Sequence, residues 1–169
     1  DRATLQTRLD IANLYRAWQK PDSSAAEFDR VIARLRPLAW ARRDFLGNVL
    51  FSAAMAHASG GDWRTAQGYL AEAIRIHRQA REDDSALLVR SLSAYGLALR
   101  HSNRLVEAEA VLTEAIAREE KLRSMLPVGP GRATVFPLSS YAVLASVQVL
   151  EGRGDEAWVS LQQRSEEHV

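Results

Sequence analysis

The sequence predicts an all-α protein built from four consecutive pairs of antiparallel helices. Its 169 residues are rich in Ala, Leu, Arg, Glu and Gln, which favour helices, and apolar residues recur at the i, i+3, i+4 and i+7 spacing of amphipathic helices. Two segments 42 residues apart, Tyr69–Ile74 and Val111–Ile116, nearly match. A fixed period of this size is typical of a repeat array, in which each unit buries its apolar face against its neighbours.

Turn signals divide the chain at regular places. Four short segments carry the Gly, Asn, Asp or Ser residues that end one helix and cap the next: Lys20–Ser23, Ser59–Asp62, Ser102–Arg104 and Glu151–Asp155. Longer breaks lie between them, at Pro37, Glu82–Ser85 and Pro127–Gly131. The predicted order is therefore helix, tight turn, helix and longer link, repeated four times.

A small residue early in each second helix sets the register of the repeats: Ser24, Ala66, Ala108 and Ala157. The first two intervals are 42 residues and the third is 49, and the Pro and Gly residues at about 126–137 place the surplus in an insertion loop. This loop is interpreted either as a tolerated surface insertion or as a binding element. The predicted repeats span about 5–46, 47–88, 89–130 and 138–169 of a single array over residues 1–169. We expect this array to be a fragment of a longer protein.

With this register the units resemble tetratricopeptide repeats (TPRs). The family's first helix has a Leu-Gly pair followed three residues later by Tyr, which corresponds here to Ile11-Ala12 with Tyr15 and to Tyr95-Gly96 with Leu99. The second helix has a small, a large and a small residue, as in Ala66, Leu70 and Ala73. The 42-residue period is similar to that of kinesin light chains and of many bacterial signalling proteins.

The resemblance implies a right-handed α-solenoid of about four repeats and eight helices. It also implies that small residues of the first helices face the small residues of the second helices, since helices approach to about 8–10 Å only where side chains are small. The first-helix residues in question are Ala12, Ala54, Gly96 and Ala145.

No catalytic or metal-binding set stands out in the sequence. There is no Cys, and the four His residues lack the spacing of helical metal sites. His57 takes the place of the motif's Tyr and is predicted to be a packed histidine, while the acidic pair Glu119–Glu120 is predicted to be solvated. Gly129–Thr134 lacks the Gly-Lys-Ser/Thr ending of a phosphate loop. We therefore expect no enzymatic activity, no cofactor and no bound metal.

Charge and hydropathy argue against two classes of partner. The net charge of +1, from 22 basic and 21 acidic residues, gives no strong attraction to nucleic acid or to an anionic membrane. No apolar run approaches the roughly 18 residues needed to span a bilayer. The cluster of Arg34, Arg36, Arg42 and Arg43 around Trp40 is compatible with stacking on RNA, although we prefer an Arg-rich link that covers apolar surface. We expect neither nucleic acid nor membrane as partner, and a cytoplasmic location.

The resemblance implies that a protein or peptide ligand binds the concave face, which the first helices line. The candidate groove residues are Asn13, Arg16, Asn48, Phe51, Met55, Arg90, Ser93, Leu97, Arg100, His101 and Ser146. Their mixture of Arg and apolar side chains predicts a peptide with apolar anchors and some acidic character. The carboxylate clamp of chaperone-binding TPRs is not expected, because Leu9 and Met55 stand where Lys and Asn are needed.

The predicted function is a non-catalytic protein–protein or peptide interaction module with a regulatory or scaffolding role. Two alternatives remain open: a ligand-sensing or peptide-sensing array of a bacterial transcription regulator or signalling ATPase, and a substrate-recruiting arm of a larger kinase or protease. No clear polar capping helix follows the last repeat, which leaves two interpretations: a fragment of a longer protein, or a homo-oligomer in which the array pairs with itself through an end. Leu5, Leu9 and Trp158 are the residues predicted to be exposed at those ends.

Overall fold

The computed structural model describes residues 2–38, 44–79, 86–125 and 140–166. Within these ranges the chain is helical, without a strand, which confirms the predicted fold class. Eight helices occur in the described part: α1 (Arg2–Ala17), α2 (Pro21–Leu35), α3 (Asp44–Ser59), α4 (Trp63–Gln79), α5 (Ala86–His101), α6 (Leu105–Met125), α7 (Ser140–Leu150) and α8 (Gly154–Glu166). The predicted insertion at 126–137, the link Glu82–Ser85 and the Trp40–Arg43 part of the Arg cluster lie outside the described residues.

The helices form two compact units of two helix pairs each. Residues 1–83 hold α1 to α4, and residues 84–169 hold α5 to α8. The core of the first unit includes Leu9, Phe28 and Leu50, and that of the second includes Leu112 and Val147. The single array over residues 1–169 stays a prediction.

The four tight turns share one backbone design. In each, one residue has a positive φ, and the next residue donates a backbone hydrogen bond to the carbonyl five residues earlier, as in the 2.8 Å bond from Arg153 to Gln148. This is the Schellman cap, in which Gly or Asn is favoured at the left-handed position. The left-handed residues are Gln19, Gly61, Asn103 and Gly152. The prediction of Gly or Asn is therefore confirmed in three turns, and Gln19 replaces them in the first.

The starts of the second helices differ from one another. Asp62 caps α4, because its Oδ1 accepts a 3.1 Å hydrogen bond from the backbone N–H of Thr65. At α2, by contrast, the N-cap Lys20 makes no side-chain cap bond and Pro21 is already helical. Proline suits a first helical position because it has no N–H to satisfy there.

Small residues stand at the crossings within the helix pairs, as predicted. Ser24, Ala66 and Ala108 are fully buried, and the hydroxyl of Ser24 donates a 2.9 Å hydrogen bond to the backbone carbonyl of Ala12. Gly96 allows the same close approach between α5 and α6.

The expected exposure of the array ends needs a correction. Leu5 and Leu9 are buried in the core of the first unit, because their side of α1 packs against α2. Trp158 on α8 is exposed, as predicted. Arg8 on α1 forms an ion pair with Glu27 on α2 at 2.8 Å.

Candidate functional site

Three of the predicted groove residues meet in the second unit. Nη1 of Arg100, in the last turn of α5, donates a 2.9 Å hydrogen bond to Oγ of Ser146 on α7, and its Nη2 lies 3.2 Å from Nε2 of His101. Ser146 in turn donates to the backbone carbonyl of Val143 at 2.6 Å. The guanidinium of Arg100 therefore joins two first helices that belong to consecutive pairs.

These residues line an open groove together with two apolar side chains. Val149 and Leu150, at the end of α7, complete the wall of a cavity of about 500 Å³. Both side chains are 60% exposed. The groove therefore offers a cation and an apolar surface side by side.

The electrostatics of this groove favour an anionic group. Partial burial, and after it the positive charge of Arg100, lowers the pKa of His101 below its ordinary value of 6.5. A lowered pKa favours the neutral form of the imidazole, so His101 adds little positive charge next to Arg100 at neutral pH. A guanidinium is suited to paired hydrogen bonds with a carboxylate.

Ser93 lies inside the second unit, where it is fully buried. Its Oγ lies 2.9 Å from the carbonyl oxygen of Val89 and 2.6 Å from Oγ of Ser140 on α7, and its single proton can be donated to one of these two oxygens at a time. Ser140 donates a 3.0 Å hydrogen bond to Oε2 of Glu119 on α6, and Oε1 of Glu119 accepts one of 2.5 Å from Arg123. Ser93, which was predicted to line the groove, therefore lies in the core.

The prediction that the acidic pair Glu119–Glu120 is solvated is wrong for Glu119. It is fully buried, whereas Glu120 beside it is exposed. One sequence signal could have found this residue, because its equivalents 42 and 84 residues earlier are His77 and Leu35, both buried.

The other predicted groove residues are spread over both units. In the first unit Arg16 donates a 3.0 Å hydrogen bond to the side-chain oxygen of Asn13, and both are exposed. Asn48 is exposed as well, while the side chains that are half-buried are those of Phe51, Met55, Arg90 and Leu97. Leu97 packs on the core of the second unit.

A second cavity, of about 270 Å³, lies in the first unit beside His57. Nδ1 of His57 is 3.2 Å from Asp62, and its Nε2 is 3.1 Å from Oδ1 of Asp29 on α2. The same Asp29 oxygen accepts a 2.7 Å hydrogen bond from the hydroxyl of Tyr69. Burial, followed by this bond, raises the pKa of Tyr69. His57 is thus a packed histidine, as predicted, and it ties α2, α3 and α4 together.

The described residues hold neither a metal-binding cluster nor a membrane-spanning helix. No group of three or more His, Asp or Glu side chains in these ranges is arranged to hold a metal ion. Among the described helices, none combines the length and the apolar character needed to cross a membrane.

Comparisons with known proteins place these observations in a family context. Residues 45–121 match the family model of the tetratricopeptide repeat. No curated protein matches the chain in sequence. In structure, the chain is similar to BtubC (BKLC) from P. vanneervenii, with a TM-score of 0.82 and 15% identity over 97% of this chain and 63% of that one. The chain thus spans less than two thirds of BtubC.

The nearly identical TPR-like repeats of a candidate kinesin light chain from Podosopora anserina are similar as well. Two of their structures have TM-scores of 0.77, with 18% and 17% identity. They match over 95% and 96% of this chain and over 72% and 74% of theirs. At such identities the likeness concerns the fold.

Proposed function

We propose that this protein is a non-catalytic module that binds a protein or peptide ligand, because residues 45–121 match the family model of the tetratricopeptide repeat and the chain is similar in fold to TPR-like repeat proteins. Repeats of this family generally mediate interactions between proteins. We assign the binding face to the first helices, and its centre to the groove at Arg100, His101 and Ser146.

The observation that carries this proposal is the bridge from Arg100 to Ser146 beside two exposed aliphatic residues. Binding grooves combine a few placed polar groups with apolar walls, and the groove at the end of α7 has both. Its ligand would place a carboxylate on the guanidinium of Arg100 and an apolar side chain on Val149 and Leu150. An extended segment with an acidic residue next to an apolar anchor has this chemistry.

We propose that further contacts come from the other exposed or half-buried first-helix residues. These are Asn13, Arg16, Asn48, Phe51, Met55, Arg90 and Leu97. Ser93 is left out because its hydroxyl is buried. The role we propose is regulatory or scaffolding and cytoplasmic. Sensing within a signalling protein or recruitment for an enzyme would use the same groove.

The experiment is a selection of displayed random peptides on the 169-residue chain, followed by affinity measurements on the enriched peptides by fluorescence anisotropy. We expect enrichment of acidic residues next to apolar ones, and for Arg100→Glu a loss of affinity of about tenfold or more, since charged hydrogen bonds are among the stronger contacts. Arg75→Glu on α4 is the matched control, because Arg75 is exposed and outside the groove. Enriched peptides without acidic residues, or equal affinities for the two variants, would overturn the assignment of the groove.

The titration of His101 gives a second readout. An acidic group bound at Arg100 stabilises the charged imidazolium nearby, so the enriched peptide should raise the pKa of His101 from its lowered value. The imidazole signals in NMR spectra, recorded against pH with and without the peptide, measure this shift. An unchanged titration would place the peptide elsewhere on the chain.

A further inference from the structure

The contact between Arg100 and His101 determines which form of the imidazole is present. Nη2 of Arg100 lies 3.2 Å from Nε2 of His101, and a guanidinium can only donate hydrogen bonds. Nε2 must therefore accept the bond, which it can do only in the neutral imidazole. Partial burial, and after it the charge of Arg100, lowers the pKa of His101 below 6.5, in agreement with a neutral ring at pH 7.

The guanidinium of Arg100 has neutral partners. It contacts the hydroxyl of Ser146 at 2.9 Å and the imidazole of His101, and no carboxylate among the described residues forms an ion pair with it. Four other arginines of the second unit each pair with a glutamate: Arg104, Arg118, Arg123 and Arg153. The positive charge of Arg100 therefore stays available to an anionic group that enters the groove.

Other charged and titratable groups of the neighbouring elements are bonded to one another. α7 has no charged residue, and its titratable side chain is a tyrosine. The bonded groups at the start of α6, on α7 and in the turn after α7 are Arg104 with Glu107, Arg153 with Glu109 and Glu151, and Tyr141 with Glu120. The charge that acts on His101 is therefore that of Arg100.

From this geometry we propose that protonation of His101 tightens the binding of an acidic ligand in the groove, a step that rests on the function proposed for this groove. The imidazolium carries a hydrogen on each ring nitrogen, so Nε2 can no longer accept a bond from Arg100. Nε2 and Nη2 then each have a hydrogen to donate at the same place. The two oxygens of one carboxylate can accept one hydrogen bond from each, so His101 becomes a second cation of the site.

Thermodynamic linkage gives the direction of the effect. A carboxylate bound at Arg100 raises the pKa of His101 from its lowered value, so the carboxylate must in turn bind more tightly as the pH falls through the range between the two pKa values. A difference of about one between these values corresponds to roughly tenfold in affinity. Aspartate and glutamate side chains of a ligand stay ionised above about pH 5, so the ligand keeps its charge in this range.

The test is the affinity of an acidic peptide from the displayed-peptide selection, measured by fluorescence anisotropy at about pH 7.5 and pH 5.5. For the unchanged chain we expect the dissociation constant to fall roughly threefold or more at the lower pH. His101→Asn, which cannot gain a charge, should lose this dependence on pH. His101→Lys carries its charge at both pH values, so it should bind tightly at both. The same peptide with an amide in place of its carboxylate is the control for the ligand.

The outcomes separate this inference from the function on which it rests. If an acidic peptide binds equally well at both pH values, or if His101→Asn keeps the pH dependence of the unchanged chain, the role of His101 is refuted and the groove itself stands. If no acidic peptide binds at either pH, the proposed function fails and the role of His101 with it. Circular dichroism at both pH values checks that each variant stays folded.

Discussion

The Cα atom of Gly96 on α5 stands so close to Leu112 on α6 that a Cβ on Gly96 would lie 2.5 Å from Cγ of Leu112. Leu112 is fully buried in the core cluster with Val147, so it has little room to move away. We expect Gly96→Ala to lower the free energy of unfolding by about 1–3 kcal/mol through overpacking. Urea denaturation followed by circular dichroism measures the change.

Gly68→Ala on α4 is the control for this substitution. A Cβ at Gly68 meets nothing within 4 Å. Alanine favours a helix over glycine by roughly 1 kcal/mol, so this variant should be more stable than the unchanged chain. If Gly96→Ala were also stabilising, the close approach of α5 and α6 would not depend on the glycine.

The small residue at Ala108 should be equally restrictive. It is fully buried at the start of α6, and leucine there should overpack the crossing with α5 and cost about 1–3 kcal/mol in the free energy of unfolding. Ala110→Leu, two residues later and exposed, is the matched control. In thermal and urea unfolding we expect Ala108→Leu to be less stable than Ala110→Leu. Equal stability would argue against a packing role for the small-residue position.

Among the described charged residues of the second unit, Glu119 should cost the most free energy of unfolding when it is replaced. Glu119→Ala removes the fully buried carboxylate that pairs with Arg123, and breaking a buried ion pair costs about 3–5 kcal/mol in the free energy of unfolding. Glu114→Ala removes a similar i,i+4 pair, with Arg118, from a more exposed place and should cost less than about 1 kcal/mol. Chemical denaturation of both variants measures the difference. If Glu119→Ala lowered the free energy of unfolding as little as Glu114→Ala does, the buried hydrogen bonds of Glu119 to Ser140 and Arg123 would not have the proposed structural role.

The helix cap at Asp62 should make stability depend on acidity. Hydrogen bonds from Thr65, and after them the proximity of His57, lower the pKa of Asp62 below its ordinary value of 3.8. A lowered folded-state pKa means that the stabilisation is present above about pH 4 and is lost as the pH falls through the lowered value. Asp62→Asn keeps a cap acceptor without the charge, so it should lose less stability between pH 5 and pH 3 than the unchanged chain does.

Urea unfolding at several pH values tests the cap. At neutral pH, Asp62→Ala should cost about 1 kcal/mol, as the loss of a helix cap typically does. If the Asn variant shows the same acid-induced loss as the unchanged chain, other carboxylates cause the pH dependence.

The helix pairs and their turns could be predicted because their causes are local. Gly61, Asn103 and Gly152 mark left-handed turn positions whatever the tertiary structure is, and Ala66 and Ala108 repeat at a fixed interval. The left-handed backbone of Gln19 could not be predicted, because glutamine has no special preference for a positive φ.

Side-chain partners from other helices could not be predicted in the same way. Periodicity placed Ser93 on a first helix but could not tell whether its hydroxyl faces a groove or the neighbouring α7. The charge of Glu119 suggested solvent, although its repeat position is buried. Leu5 and Leu9 were expected at an exposed end, but the side of an end helix that meets its own partner is set by packing within the pair.

The buried chain from Ser93 through Ser140 to Glu119 has a consequence for how α7 finds its place. Aliphatic side chains pack acceptably after a helix slides by one turn, because one methyl group substitutes for another. Hydroxyl and carboxylate groups in the interior do not tolerate such a shift, since each would lose its hydrogen-bond partner at a cost of about 1–3 kcal/mol. We therefore expect these three residues to select one packing register of α7. Their main effect would be that α7 adopts a single position, rather than a gain in the free energy of unfolding.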